Sequence, residues 1–155
     1  MLTTGRSIYF DAEEFDDLAE YYDSLDDLAQ AEVLIKKGLD IHPDNHQLML
    51  KKAKLMMHRS LYNKALDFLN ANFSGYDLDL YLLKIECLLF LNLRSEASAL
   101  TMEAIKEEKH EPEALYAELG FLYVEYDLYD EAIMYFEKSL EFNSENEDVL
   151  LELSY

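Results

Sequence analysis

The chain has 155 residues, and its 33 acidic residues outnumber its 13 basic residues, which gives a formal net charge of −20. Because this charge repels phosphate groups at long range, the composition argues against nucleic acid or an anionic membrane as a partner, whereas a basic protein segment would be attracted. A strongly acidic surface also keeps a protein soluble, and that explanation needs no partner. With only four glycines and two prolines, the sequence favours long helices.

The single cysteine, Cys87, excludes an internal disulfide and is typical of proteins from reducing compartments. It lies among leucine and isoleucine residues, so we expect an inert buried thiol. The first ten residues contain one basic residue and no continuous apolar core, so no secretory signal is predicted. The most apolar run, residues 78–93, is interrupted by charges and is too short to cross a bilayer. These features predict a cytoplasmic protein.

Residues 1–10 are expected to form a flexible N-terminus. Asp11 then has the pattern of a helix N-cap, with Glu14 three residues later as its capping-box partner. Apolar residues at helical spacing predict one helix from there and a second helix up to about Leu39. Pro43 and the residues around it offer a break before the next helix.

A recurring segment organises the rest of the chain. Leucine is followed four residues later by alanine at Leu61 to Ala65, Leu93 to Ala97 and Leu128 to Ala132, and a weaker copy ends at Ala31. The four alanines are 34, 32 and 35 residues apart. This spacing predicts four repeats, over residues 12–45, 46–77, 78–111 and 113–146, in a single domain of residues 11–155. Residues 147–155 are expected to begin a fifth repeat or to form a C-terminal cap, and the chain is interpreted as the N-terminal part of a longer repeat protein.

The last copy, residues 113–145, shows the pattern most clearly. Large and small residues alternate at fixed places on its two predicted helices, namely Tyr116, Leu119, Gly120 and Tyr123, then Ala132, Phe136 and Leu140. This order resembles the tetratricopeptide repeat (TPR) family, in which small residues allow two antiparallel helices to approach closely. The resemblance implies an all-α fold, a right-handed α-solenoid of antiparallel helix pairs.

The resemblance also implies a function, because first helices of successive TPR repeats line a concave groove that binds peptides or helices of other proteins. Carried onto this sequence, the groove is acidic at its N-terminal end and apolar toward its C-terminal end, which suits a basic or amphipathic segment. Leu82 and Leu89 could instead pack against a neighbouring repeat. The groove residues implied are Glu13, Asp16, Glu20, Asp23, Gln47, Leu50, Lys54, Met57, Leu82, Glu86, Leu89, Ala117, Phe121 and Val124.

Other partners and functions are less favoured. TPR domains that hold acidic chaperone tails use lysine and asparagine where this chain has Asp16 and Glu20, so tail binding is not expected. The alternative to a scaffold is a structural module that oligomerises through its terminal helices, and we expect a monomer or a weak homo-oligomer. Catalysis and a bound cofactor are not expected, because no catalytic grouping or phosphate-binding loop occurs in the sequence. A bound metal is not expected either, because the four histidines are scattered.

Overall fold

The computed structural model describes residues 14, 17–19, 21 and 27–154. Within these residues the ordered elements are helices, and no strand occurs. Residues 14, 17–19 and 21 are helical. The further helices are α1 (Leu28–Ile41), α2 (His46–His58), α3 (Tyr62–Asn72), α4 (Leu78–Phe90), α5 (Arg94–Glu107), α6 (Pro112–Glu125), α7 (Tyr129–Phe142) and α8 (Glu147–Leu153). None of the described helices combines the length and the apolar character needed to cross a membrane.

Short polar side chains start four of these helices. The side-chain oxygen of Asn45 accepts a hydrogen bond from the Leu48 N–H at 2.9 Å, and Asp77 accepts one from the Leu80 N–H at the same distance. Asp27 and Asn146 cap α1 and α8 in the same way. Each cap satisfies an N–H group that has no partner within its own helix. The predicted N-cap at Asp11 lies outside the described residues.

The turns inside the helix pairs share one geometry. Ser60, Asn92 and Asp127 adopt left-handed backbone conformations, with φ between 59° and 62°. The leucine that follows each of them donates its N–H to a carbonyl five residues earlier, at 2.8 Å after α2 and α4 and at 3.0 Å after α6. This is a helix C-cap that reverses the chain direction. The same leucine then accepts the N–H of the repeated alanine, so the Leu-x-x-x-Ala pattern marks the turn itself.

The chain divides into two compact units, Met1–Ala71 and Asn72–Tyr155. In the N-terminal unit, α1 packs against α2. Its core contains Ala19, Ala31, Leu34, Ile35, Leu48 and Leu55. Ala31 and Ala65, two of the repeated alanines, are completely buried in this unit.

In the C-terminal unit, α4 packs against α5, α6 packs against α7, α4 contacts α6, and α7 contacts α8. The tightest approach lies between α6 and α7, where the Phe136 ring covers the backbone of Gly120. Tyr123 on α6 packs edge-on against Tyr135 on α7, with ring centroids 5.1 Å apart. The Tyr123 hydroxyl also lies 3.0 Å from Oγ1 of Thr101, which connects α6 to α5. These buried contacts hold α6 in place beside α4.

Candidate functional site

The predicted groove residues of the N-terminal unit lie on α2, apart from four that are outside the described residues. Those four are Glu13, Asp16, Glu20 and Asp23. On α2, Gln47 and Lys54 are exposed, whereas Leu50 and Met57 are buried. Gln47 and Lys54 therefore offer surface to a partner, and Leu50 and Met57 offer very little.

The predicted groove residues of the C-terminal unit lie on α4 and α6. Leu82 and Glu86 on α4 are half-buried, as are Phe121 and Val124 on α6. Leu89 and Ala117 are buried, with exposed fractions of 6% and 8%. For Leu89 the structure thus favours packing within the protein, the alternative that the sequence left open.

Three of these residues meet at one open depression, which we call the α4–α6 cleft. It has a volume of about 170 Å³. Residues from both helices form it, namely Leu82, Leu83 and Glu86 from α4 and Glu118, Phe121, Leu122 and Glu125 from α6. The cleft therefore combines predicted groove residues of two successive repeats, with an apolar floor and three carboxylates.

Phe121, in the floor of the cleft, packs against a buried residue of α7. The Phe121 ring lies edge-on against Phe136 of α7, with centroids 5.0 Å apart. Phe136 is itself buried, with an exposed fraction of 2%. Because aromatic rings in this arrangement attract each other, Phe121 is fixed before any partner arrives. A rigid apolar floor costs less conformational entropy on binding than a mobile one.

The exposed edge of the cleft carries the carboxylates of Glu118 and Glu125. Glu118 and Glu125 are exposed, and no described basic residue forms a salt bridge with either of them. On α4, the Nζ atom of Lys84 lies over the Tyr81 ring, 5.5 Å from the centroid. Burial lowers the pKa of Lys84, and the charge of Glu103 partly offsets this effect. The cleft therefore presents net negative charge around an apolar floor.

Four of the residues that form the cleft were missed by the sequence reasoning, namely Leu83, Glu118, Leu122 and Glu125. A signal for two of them was available. Glu118 precedes Phe121 by three residues and Glu125 follows it by four, so all three share one helix face. Carrying over groove positions from the TPR pattern identified Phe121 without its acidic neighbours.

The described residues contain no group of three histidine, cysteine, aspartate or glutamate side chains that could hold a metal ion. Cys87 is completely buried, and burial raises the pKa of its thiol to about 12. A thiol with this pKa is overwhelmingly protonated near neutral pH and is a poor nucleophile.

No protein-family model matches the sequence, and no curated protein matches it. Solved structures do match. A tetratricopeptide repeat protein from Parabacteroides merdae aligns with a TM-score of 0.71 and 21% identity, over 92% of this chain and 56% of that chain. For pilF of Pseudomonas aeruginosa the TM-score is 0.66 at 22% identity, over 91% of this chain and 65% of that chain. MamA from Desulfovibrio magneticus RS-1 aligns with a TM-score of 0.62 and 20% identity, over 88% of this chain and 78% of that chain.

This chain thus spans less than two thirds of the length of the first two of these proteins. At identities of 20–22% the likeness shows the fold. The resemblance carried by Tyr116, Gly120, Ala132 and Phe136 is therefore confirmed at the level of architecture. The chain has the all-α helical-repeat fold of tetratricopeptide repeat proteins.

Proposed function

We propose that this chain is a non-catalytic protein-interaction scaffold, and that the α4–α6 cleft receives an amphipathic segment of another protein. The observation that carries the proposal is the meeting of Leu82, Glu86 and Phe121 at one open cleft. These residues are 39 positions apart at most in the sequence, and they come from the first helices of two successive repeats. A helical-repeat fold, which offers extended surfaces to other proteins, supports the same conclusion.

The size of the cleft favours a peptide over a small molecule. Pockets that enclose small ligands have volumes of about 300–1,000 Å³. The cleft, at about 170 Å³, has room for an anchoring side chain and leaves the rest of the ligand outside. An apolar anchor from an amphipathic helix or an extended segment fits this description.

The negative charge of the cleft favours basic residues next to the apolar anchor in the bound peptide. Glu118 and Glu125 lie at the exposed edge, so a lysine or arginine beside the anchor would meet a carboxylate. Arginine is the better match because its guanidinium group can bind a carboxylate through two hydrogen bonds. The net charge of −20 would also accelerate encounter with a basic segment, most strongly at low ionic strength.

The other predicted groove residues differ in exposure, and we therefore propose different roles for them. Gln47 and Lys54 are exposed and Val124 is half-buried, so each could contact a partner. The buried side chains of Leu50 and Met57 would support the surface of the N-terminal unit, and those of Leu89 and Ala117 would support the surface of the C-terminal unit. The acidic positions Glu13, Asp16, Glu20 and Asp23 are proposed from the sequence alone.

The test is selection from a random peptide display library on the immobilised protein, followed by affinity measurements on the enriched peptides. We expect enriched peptides to place lysine or arginine beside an apolar residue. Their affinity should fall about tenfold or more in Glu118→Lys/Glu125→Lys, since like charges would then face each other.

The matched control is Glu131→Lys/Glu145→Lys, which makes the same change in net charge at two exposed positions elsewhere in the C-terminal unit. It should change the affinity far less. Equal losses in the two double variants would show that net charge alone attracts the peptides. Enrichment of acidic peptides, or of none, would contradict the proposal.

A structural module that self-associates is the second candidate, because apolar side chains are exposed on α7 and α8. Ile133 and Met134 on α7 have exposed fractions of 44% and 47%, and Leu150 and Leu151 on α8 have 45% and 56%. Exposed apolar patches commonly mark protein interfaces. Sedimentation velocity over a wide concentration range separates the candidates, since a species that remains monomeric throughout would remove this second one.

A further inference from the structure

The N-terminal unit contains a cavity whose charge is opposite to that of the chain. It has a volume of about 330 Å³, about twice that of the α4–α6 cleft. Four of the chain's 13 basic residues line it, namely Lys36, Lys52, Arg59 and Lys64. Among the described lining residues, Glu32 is the one acid. In a protein with net charge −20, this local excess of positive charge requires an explanation.

The helix periodicity places these residues together. Glu32 and Lys36 are four residues apart on α1, and Lys52 and Arg59 are seven apart along α2, so each pair lies on one face of its helix. Lys64 comes from the first turn of α3. This face of α2 differs from the one that carries Gln47 and Lys54. The cavity is therefore separate from the predicted groove positions on the same helix.

The floor of the cavity is apolar. Ile35 on α1 and Leu55 on α2 are buried, Met56 is half-buried, and Leu61 is partly exposed at the turn that precedes α3. The basic side chains are exposed around this floor. The combination is the reverse of the α4–α6 cleft, since positive groups here surround an apolar depression.

The four basic groups differ in how far they are already engaged. Arg59 forms a salt bridge with Glu32, with Nη2 and Oε2 2.8 Å apart. Lys52 Nζ lies 5.0 Å from the centroid of the Phe68 ring. Lys36 and Lys64 form no salt bridge with any described carboxylate. Lys36 and Lys64 can therefore bind a ligand directly. Arg59 can bind one only after its salt bridge with Glu32 has broken.

We propose that this cavity binds an acidic peptide segment of a partner protein, with an apolar side chain of the segment in the cavity and carboxylates on Lys36, Lys64 and Arg59. Charge complementarity supports this occupant, because its carboxylates would replace water around Lys36 and Lys64, which have no salt-bridge partner among the described residues. Glu32 would act as a competitor that holds Arg59 until the segment displaces it. The inference does not depend on the α4–α6 cleft, which lies in the other unit and takes the opposite charge.

A peptide suits the cavity better than a nucleic acid does. A nucleic acid carries a dense line of phosphates, which the surrounding net negative charge would repel at long range. A short acidic peptide carries only a few charges, and its aliphatic or aromatic side chain can cover Ile35 and Leu55. A phosphate backbone offers no such group.

The probe is a fluorescein-labelled peptide of sequence Glu-Asp-Leu-Phe-Asp-Glu, titrated with the full chain at about 0.15 M salt, which screens long-range repulsion, and followed by fluorescence anisotropy. The double variant Lys36→Glu/Lys64→Glu should bind it about tenfold or more weakly, since both uncompensated cations are reversed. Its matched control is Lys106→Glu/Lys109→Glu, which makes the same change in net charge at exposed positions in the C-terminal unit and should bind far more tightly than the cavity variant. Circular dichroism should show that both remain folded.

A second variant tests the role of Glu32. Glu32→Gln should tighten peptide binding roughly twofold to fivefold, the value of an exposed ion pair that no longer competes. Glu131→Gln, with the same change in net charge, should tighten it less. If Glu32 only stabilised the fold, its removal would leave affinity at the level of this control.

Several results would overturn the proposal. These are absence of binding to the parent chain, equal loss in the two lysine double variants, or equal or tighter binding of a labelled octathymidylate. The proposal would also be overturned if the unlabelled parent protein self-associated and Lys36→Glu/Lys64→Glu did not. A second copy of the chain would then be the occupant of the cavity.

Discussion

Replacing Gly120 with alanine should destabilise the protein, although alanine is the better helix former. Gly120 lies inside α6, where glycine costs about 1 kcal/mol relative to alanine. A Cβ atom at this position would lie closer than 3.0 Å to three carbon atoms of the Phe136 ring. Real Cβ atoms essentially never approach another atom so closely, so either the ring or the helix would have to move.

The ring has little room to move. Phe136 is 2% exposed, and Phe121 lies edge-on against it at 5.0 Å. Overpacking a close-packed site costs about 1–3 kcal/mol, and this site belongs at the upper end of that range. After subtracting the gain in helix propensity, we expect a net loss of about 2 kcal/mol in the free energy of unfolding. For a chain of this length that corresponds to a decrease in melting temperature of roughly 4–8 °C.

Urea unfolding followed by circular dichroism at 222 nm measures the loss, with Ser98→Ala at an exposed position of α5 as the control for helix propensity. Phe136→Leu should itself be destabilising, because it leaves space in the core. The double variant Gly120→Ala/Phe136→Leu should nevertheless lose less than the sum of the two single variants, since the smaller side chain makes room for the new methyl group. Strict additivity, or a Gly120→Ala protein as stable as its parent, would refute the close approach of α6 and α7.

Two further predictions concern ionisable groups in the C-terminal unit. The backbone N–H of Glu111, together with the Tyr76 hydroxyl and the His110 N–H, holds the pKa of the Glu108 carboxyl below its ordinary value despite burial. The resulting stability is complete above the unfolded pKa of about 4.3 and is lost as the pH falls through the folded value. Urea unfolding between pH 7 and 3 should therefore show a smaller acid loss in Glu108→Gln than in the parent, and identical profiles would contradict this assignment. The Cys87 thiol, fully buried with a pKa of about 12, should react with a disulfide reagent only across the urea transition, whereas full labelling of the folded protein would contradict its burial.

The Leu-x-x-x-Ala segment, from which the sequence predicted the repeats, coincides with a turn that depends on local interactions. Leu128 marks a C-cap hydrogen bond and Ala132 a buried small residue, and the same pair occurs where α3 and α5 begin. Local backbone geometry of this kind recurs wherever the pattern recurs. The division into repeats within a single domain stays a prediction.

In the third predicted repeat, residues 78–111, Ile85 stands where the pattern expects a small residue, and Cys87 two positions later could take that place instead. The buried residues of α4 include Leu80, Leu83, Ile85, Cys87 and Leu88, which lie on more than one face of the helix. The spacing of apolar residues shows which side of a helix packs against its neighbours only when the opposite side is polar. Both Ile85 and Cys87 are completely buried, so neither position could be excluded from the sequence as the packing site.

The two candidate binding surfaces differ in how far the sequence could reveal them. For the α4–α6 cleft, the TPR pattern identified Leu82, Glu86 and Phe121, and helix spacing could have added Glu118. The basic cavity was missed, because Lys36, on the second helix of one repeat, and Lys64, on the second helix of the next, come together only when the helices pack. Such a charge cluster depends on tertiary structure, and neither periodicity nor motif spacing predicts it.

Methyl NMR of the complex with a display-selected basic peptide shows whether the α4–α6 cleft is the docking surface. Leu82 and Leu122 report from the cleft, and Leu69, buried in the N-terminal unit, is the internal reference. We expect saturable chemical-shift changes at Leu82 and Leu122, little change at Leu69, and loss of the cleft changes in Glu118→Lys/Glu125→Lys. Saturable binding that leaves both cleft methyl signals unchanged would show that the peptide docks elsewhere and would refute the proposed function of the cleft.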